Sequence, residues 1–511
     1  MIASALDRRR ALARLGERYD ILVIGGGATG VGTALDAVTR GYATALVEAA
    51  DFASATSSRS TKLVHGGVRY LQQGNVALVR EALAERARLF RNAPHLVDEL
   101  AFILPVYSAL ALPYYAAGLA SYDLLAGAAN LTRSRALGRR GTLARLPGLR
   151  AKRLAGSVRY ADAQFDDARL ALALVRTAAA RGATVANYVR AESLTKTGGR
   201  VDGAILRDRE TGDEHRIRAR VVVNATGIFA DDLRRADEPG ATPLLTHSRG
   251  SHLVFPREIL GGEDALIVPR TPDGRVLFAI PWYGHIVVGT TDLPAPGAAL
   301  DVAPTVAEID YLVETVNGYL ERPVRRADAL AAFAGLRPLV TGNAGASTAQ
   351  LSREHLVATS PSGLVTVTGG KWTTYRKMAQ DAVDVAARTG SLRSARCVTA
   401  DLPLHGATGA ARAHLNGPID PDAIYGSDAA DVRELEAAEP SLRTPLAGRL
   451  PYRESHVVYA IRSEMARTVD DVLSRRTRAR FLDEAAARSA EPRVAALLAR
   501  ERARADASDH A

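Results

Sequence analysis

The patterned part of the chain begins with "YDILVIGGG", an apolar run from Ile21 to Ile24 that enters a glycine turn. "ATGVGTALDAVTRGY" continues at helical spacing to about Gly41, and "ATALVEAA" is a second apolar run. Runs without polar alternation suit strands buried on both faces, as in a parallel sheet covered by helices. "NVALVREALAERARLFRNAPHL" carries apolar residues at helical spacing with Pro94 near its end, which predicts a helix. "ARLALALVRTAAARGATVANYVRAESL" repeats helix then strand, and "GRVDGAILRDRETGDEHRIRARVVVNATG" predicts a hairpin turning at "TGDE" before another buried strand. From about residue 244 to 300 the pattern shifts to short strands: "GSHLVFP", "ALIVPR" and "RVLFAIPWYGHIVVGTTD". An amphipathic helix is predicted at "TVAEIDYLVETVNGYLER", and "GLVTVTGGKWTTYRKMAQDAVDVAART" restores a strand, a glycine turn and a helix. After roughly residue 400, Ala, Arg and Glu at helical spacing predict a separate helical domain, with disorder expected after Glu491.

With 511 residues the chain can bury two or three domains. The single cysteine, Cys397, excludes an intrachain disulfide, a cysteine-ligated cluster and a dithiol relay, and it fits a reducing compartment. No metal site is expected. The net charge of +10 admits three sources: an arginine-biased genome, an anionic substrate, or an anionic membrane surface. The basic residues are dispersed and no nucleic-acid-binding motif is present, so a nucleic-acid partner is not expected.

"MIASALDRRRALARLGER" carries charges where a secretory signal needs an apolar stretch, and reads as a helical or frayed extension. Phe102 to Tyr122, "FILPVYSALALPYYAAGLASY", contains no charge. Its length is close to the roughly 20 residues that span a bilayer. Pro105, Pro113, Gly118 and four tyrosines argue instead for a buried or interfacial helical pair.

The glycine turn reads Gly25-x-Gly27-x-x-Gly30, with Glu48 closing the next strand. The first glycine permits the turn, the second admits a pyrophosphate to the backbone, and the third lets helix and strand pack closely. The helix N-terminus offers its N–H groups to the phosphates, and Glu48 suits a ribose hydroxyl while repelling a 2′-phosphate. "ARVVVNATG" brings Ala225 and Gly227 to a later strand end, a pairing that resembles the FAD-binding fold of the glutathione-reductase type. No second such fingerprint follows a strand, so a dedicated NAD domain is not expected.

"TSSRSTKLVHGGVRYL", Thr56 to Leu71, crowds hydroxyls, cations, a histidine and a glycine pair just after this turn. Together with "DILVIGGGATGVG", "NATG", "GSHLVFP", "IPWYGHIVVGTTD", "AGLRPL" and "GGKWTTYRKMAQDAV", it resembles the FAD-dependent glycerol-3-phosphate dehydrogenases. "YAIRSEMARTVDDVLSRRTRARFLD" is similar to that family's helical C-terminal domain. The similarity covers nearly all of the chain after Tyr19; one departure is Phe229, where the family more often has Trp.

The fold so implied is α/β: a glutathione-reductase-type, Rossmann-like FAD-binding domain with an inserted mixed β-sheet substrate domain and an α-helical C-terminal domain. The expected division is an extension over 1–18, an FAD-binding domain over 19–105, 155–240 and 330–398, and a mostly helical excursion over 106–154. A substrate-binding cap covers 241–329 and the helical domain 399–511. FAD contacts are expected from Gly25, Gly27, Gly30, Glu48, Thr56, Ser57, Ser58, Lys62, Gly66, Gly67, Ala225, Gly227, Gly370 and Thr373.

The resemblance implies oxidation of sn-glycerol 3-phosphate to dihydroxyacetone phosphate by hydride transfer to FAD. It assigns substrate contacts to Arg69, Tyr70, Arg337 and Lys371. His65 is the expected base, an ordinary imidazole suiting proton abstraction near neutral pH, with His252 its rival. Trp282 and Tyr283 are expected in the core or over the pocket, and "GTTD", Gly289 to Asp292, in a turn. A membrane quinone is the expected acceptor, which implies a cytoplasmic protein resting on the inner face of the membrane; a homodimer stays open. The alternatives are an oxidase using O2, and an amine or amino-acid oxidase on the same fold.

Overall fold

The strands Arg18–Ile24, Thr44–Val47 and Glu214–Asn224 lie side by side and parallel at the centre of a first sheet. The computed structural model describes residues 6–67, 75–269, 271, 275–341 and 355–509. Val365–Gly369 and Thr184–Ala186 extend the sheet in parallel, and Arg200–Asp208 pairs antiparallel with Glu214–Asn224 as the "TGDE" hairpin predicts. Because side chains alternate along a strand, Ile21 and Val23 face a core shared with helices Ala28–Thr39, Asp167–Ala180 and Tyr375–Thr389. Leu22 and Ile24 point the other way, onto Leu206 and Ile217 of the hairpin and Leu15 behind the short helix Arg8–Arg14. Burial on both faces is why their inner stretches, Ile21 to Ile24, Ala45 to Val47 and Val221 to Val223, are uniformly apolar.

A second sheet of ten strands, counted among the described residues, stands beside the first. Its long pairs are Val97–Val106 with Gly156–Phe165 and Leu245–Pro256 with Ala331–Val340. The division expected from sequence is therefore crossed. Each of the three segments assigned to the FAD-binding domain sends a strand into the second sheet: Val97–Val106, Gly156–Phe165 and Ala331–Val340. A strand buried on both faces has the same apolar signature in either sheet, so periodicity cannot name its neighbour. Leu63–Val64 also joins this sheet, beside Gly156–Phe165, so the loop beginning at Thr56 carries the chain from one sheet to the other.

Two further expectations are corrected. Phe102 to Val106 is the end of a strand, and of the uncharged segment only Leu112 to Tyr122 is α-helical, in the helix Leu112–Ala126. The tail after Glu491 is part of one helix, Glu484–Asp509, with Pro492 inside it. Val494, Leu497 and Leu498 recur at helical spacing and are buried, an apolar stripe that the Ala/Arg bias hid. The C-terminal helices cover one face of the second sheet: Trp282 and Phe333 pack with Val457, Leu473 and Phe481.

Charges are buried where this C-terminal region meets the first sheet. Asp51 accepts from Arg475 Nε at 2.5 Å and from Arg476 Nη1 at 2.6 Å, and all three side chains are buried. Arg476 also donates to the Glu464 carbonyl, while the Glu464 carboxylate receives Arg169. Burial opposes ionisation of Asp51, yet the two guanidinium groups hold its carboxyl down to about 2. Removing one partner of such a buried pair leaves uncompensated charge and costs about 3–5 kcal/mol. Asp51→Ala is therefore expected to lose stability of that order in chemical denaturation. Since the folded-state value lies below the ordinary one, the stabilisation is complete above about pH 4 and is lost as pH falls towards 2. Acid titration should show that loss in the parent protein and a flatter profile in the variant.

Candidate active site

A cavity of about 580 Å³ opens at the carboxyl ends of the central parallel strands, lined by Gly25, Gly27, Glu48, Thr56, Ser57, Ala225 and Gly227 among others. Ligands of open α/β sheets bind in this position. The turn that shapes it needs glycine: Gly25 has φ +113°, and a side chain there would meet the Ala225 backbone. At Gly30 a side chain would meet the Gly25 carbonyl, which is the close helix–strand packing expected of the third glycine. Gly27 is different, because a Cβ there would approach only the Ser57 hydroxyl, at 3.1 Å. Its backbone thus faces the cavity. Ser57 Oγ accepts from Ala28 N–H at 2.9 Å, at the N-terminus of the following helix.

Glu48 accepts from Gly26 N–H at 2.6 Å and from Ala50 N–H at 2.8 Å, so the carboxylate braces the glycine turn while lining the cavity. Burial pushes its carboxyl up. These features fit a dinucleotide: an anion-favouring helix end, open backbone at Gly27, and an acid at the ribose position. The volume also suits a cofactor, since such sites commonly measure about 300–1,000 Å³.

The Thr56-to-Gly67 loop draws the other candidates together. Thr56 Oγ1 donates to the Leu336 carbonyl at 2.6 Å, next to Arg337. The Trp372 indole N–H donates to the Ser57 carbonyl at 2.9 Å, and His65 N–H donates to Thr373 Oγ1 at 3.3 Å. The strand carrying Arg337 and the turn carrying Gly370, Lys371 and Thr373 are thus tied to one loop, which also bears His65. Arg337 lies over Gly250, where any side chain would strike the guanidinium, and its Nη2 donates to Thr290 Oγ1 at 3.0 Å. Nη1 and Nη2 both reach the Thr291 carbonyl at 3.2 Å. "GTTD" is therefore the clasp of Arg337.

Glu308, which sequence reasoning missed, braces that clasp: its carboxylate accepts from Ser251 and Thr291 hydroxyls at 2.9 Å and pairs with Arg249 at 2.9 Å. Its signal was a helix-capping pattern, Thr305 with Glu308, that a sequence reader assigns to the helix alone. His252 is buried and stacked on Phe333, with Nε2 2.9 Å from Thr61 Oγ1. Burial, then Arg337 and Lys62, depress its basicity well below the usual range.

Other expected contacts fall elsewhere. Lys62 is fully buried and off the cavity wall, its ammonium donating to the Ser58 carbonyl and to Asp167, each at 2.7 Å. Burial lowers it to about 7 despite Asp167. An ammonium so engaged holds the loop from behind, and Ser58 meets the same group through its carbonyl. At Gly66 the crowding comes from Tyr122 and Leu83, so protein packing accounts for that glycine; Gly67 has φ +78°. Arg69 and Tyr70 lie outside the described residues. Trp282 and Tyr283 are buried core residues, Trp282 lying beneath the Lys62 ammonium. Among the described residues no group of side chains is arranged to hold a metal ion.

A glycine turn of this kind at the mouth of such a cavity defines a protein that binds a nucleotide cofactor. Residues 20–376 match the family described as FAD dependent oxidoreductase, and residues 397–508 the C-terminal domain of alpha-glycerophosphate oxidase. The mitochondrial glycerol-3-phosphate dehydrogenase of Homo sapiens is 44% identical over 514 aligned residues, 94% of this chain and 70% of that protein. A Bacillus halodurans glycerol-3-phosphate dehydrogenase, solved with FAD, superposes with a TM-score of 0.78 at 32% identity, covering 98% of this chain and 94% of that one. Glycine oxidase from Geobacillus kaustophilus shares the fold alone, at 19% identity and a TM-score of 0.53 over 75% of this chain and 98% of its own. The chain belongs to the FAD-dependent oxidoreductases and, among them, to the glycerol-3-phosphate dehydrogenase family.

The open backbone at Gly27 generates a direct test. Gly27→Val would drive a branched side chain into Ser57 and the cavity. The variant is expected to purify without flavin while keeping the circular-dichroism spectrum of the parent. Its absorbance near 450 nm (roughly the flavin maximum) relative to protein is the readout.

Proposed function

We propose that the protein oxidises sn-glycerol 3-phosphate to dihydroxyacetone phosphate and passes the electrons to a membrane quinone. The observation that carries this is an arginine on the strand that Thr56 of the cavity wall bonds, in a chain 44% identical to a glycerol-3-phosphate dehydrogenase over nearly its whole length. FAD, when bound, supplies the hydride acceptor. Arg337 offers the planar fork that suits phosphate oxygens, oriented by Thr290 and Thr291. Lys371 adds a second cation from the turn tied to the same loop, and the resemblance adds Arg69 and Tyr70. His65 takes the hydroxyl proton in this reading. His252 is disfavoured because its Nε2 is engaged by Thr61 and its ring is buried against Phe333.

Anaerobic addition of glycerol 3-phosphate is expected to bleach the flavin, whereas glycine is expected to leave it oxidised; the reverse would move the protein to the amine oxidases. Arg337→Ala should bleach with kcat/KM lower by about ten- to a hundredfold, the value of one or two charge-assisted hydrogen bonds. Its flavin content should be unchanged.

The quinone reading rests on one surface. Helix Leu112–Ala126 and the turn before it leave Leu110 92%, Leu124 83% and Tyr114 70% exposed. Residues 106–154 hold eight basic and one acidic side chain, a net charge of +7, and Ser134, flanked by Arg133 and Arg135, is bonded to Asp123 of the helix. Apolar side chains beside cations suit an anionic phospholipid surface. No helix among the described residues is long and apolar enough to cross a membrane. Changing Leu110, Tyr114 and Leu124 together to Asp is expected to abolish co-sedimentation with phosphatidylglycerol vesicles while sparing reduction of a water-soluble dye. Oxygen is a second acceptor to test, since the C-terminal match is to an alpha-glycerophosphate oxidase; peroxide formation without a quinone would favour it.

A further inference from the structure

The cavity wall formed by Ala49 and Ala53 to Ser57 is anchored from outside at both ends. At one end Asp51 is gripped by Arg475 and Arg476, at 2.5 and 2.6 Å. At the other the Ser58 carbonyl accepts from Arg478 Nη2 at 2.9 Å and from Lys62 Nζ at 2.7 Å. Both cations also hold Asp167, Arg478 at 2.9 Å and Lys62 at 2.7 Å. All three arginines come from one stretch, Arg475 to Arg478, more than 400 residues further along the chain. Each is buried, Arg476 and Arg478 wholly so.

Backbone strain says why such anchoring is needed. Ala53 and Lys62 sit at φ +59° and +63°, and Arg478 itself at +62°. Residues other than glycine enter this region at a cost, and they stay there only when their surroundings over-determine them. The loop between Ala49 and Ser58 is short of large apolar side chains, Phe52 excepted, so packing alone cannot supply that constraint.

We propose that Arg478, with Arg475 and Arg476, is a positioning element for FAD: the C-terminal domain sets the Ala53–Ser58 wall in its cofactor-binding shape through the Ser58 carbonyl and Asp51. Cofactor affinity is then coupled to docking of the C-terminal helices. This rests on the cavity being the FAD site and is independent of which alcohol is oxidised.

The test uses the full-length protein stripped of flavin and titrated with FAD by quenching of flavin fluorescence. Arg478→Met is the informative variant, because Lys62 continues to pair with Asp167, and Asp166, 3.5 Å from the lost guanidinium, keeps its hydrogen bonds from Arg169 N–H and the Tyr283 hydroxyl. Its Kd for FAD is expected to rise about ten- to a hundredfold, the value of one charge-assisted hydrogen bond or two. Arg493→Ala, which breaks a pair with Glu454 within the C-terminal domain, is the control for lost stability alone. It should leave the Kd unchanged even where its Tm falls as far. An unchanged Kd in Arg478→Met, or equal weakening in both variants, overturns the proposal. If Arg478→Met does not accumulate, Arg478→Lys, whose single ammonium replaces a fork, is read by the same two outcomes. Failure of the parent protein to bind FAD at all would instead refute the cavity assignment.

Discussion

The structure depends on a buried set of ion pairs that joins its two ends. Asp51 and Asp167 lie in or behind the cofactor site, and Arg475, Arg476 and Arg478 reach them from the C-terminal helices. Such pairs add little net stability, because desolvation consumes most of the Coulombic gain. What they impose is geometry. A buried carboxylate that must satisfy two guanidinium forks has few acceptable positions, and the backbone that carries it inherits them. Asp167 shows this most clearly, since Lys62, Arg478 and both the hydroxyl and N–H of Ser60 converge on its two oxygens.

From that constraint the reactive side of the molecule follows. The Thr56-to-Gly67 loop leaves the first sheet at the cavity, ends as a short strand in the second, and touches the Arg337 strand and the Lys371 turn on the way. The glycine turn on the first sheet and Arg337 on the second can be held in register only if the two sheets cannot slide. The loop's hydrogen bonds to Leu336, Trp372 and Thr373 resist such sliding in front, and the ionic set resists it behind. Arg337 is then aimed locally. Gly250 makes room beneath it, and the carbonyl and hydroxyl of the Thr290–Thr291 turn orient its fork.

Much of this was legible in the sequence where the signal is local. The glycine turn, Glu48, the hairpin at "TGDE" and the helix after Thr374 depend on neighbours within a few residues, and spacing reports them well. Partnership across the chain is not local. Strand Gly156–Phe165 mixes Arg159, Asp162 and Gln164 with apolar residues although nearly all of it is buried, and nothing in its own residues selects the second sheet. Lys62 reads as a cation available to a phosphate because its carboxylate partner is 105 positions away. A basic run such as "SRRTR", residues 474–478, is ordinarily solvated; here it is buried, and its carboxylate partners Asp51 and Asp167 lie 425 and 311 positions away. Glu308 was hidden differently: it does cap its helix, and the same carboxylate also braces the Arg337 clasp.

The buried arginines also change the meaning of the overall charge. Among the described residues the buried charged side chains are mostly acidic, so the excess of ten positive charges is carried by the surface. An arginine-rich genome would spread that excess along the chain, placing about one net charge in any 49 residues, whereas residues 106–154 carry seven. The concentration coincides with the most exposed apolar side chains, Leu110 and Leu124. Both the clustering and the coincidence are what the proposed contact with an anionic phospholipid surface would use, the apolar side chains entering the layer and the cations meeting its headgroups.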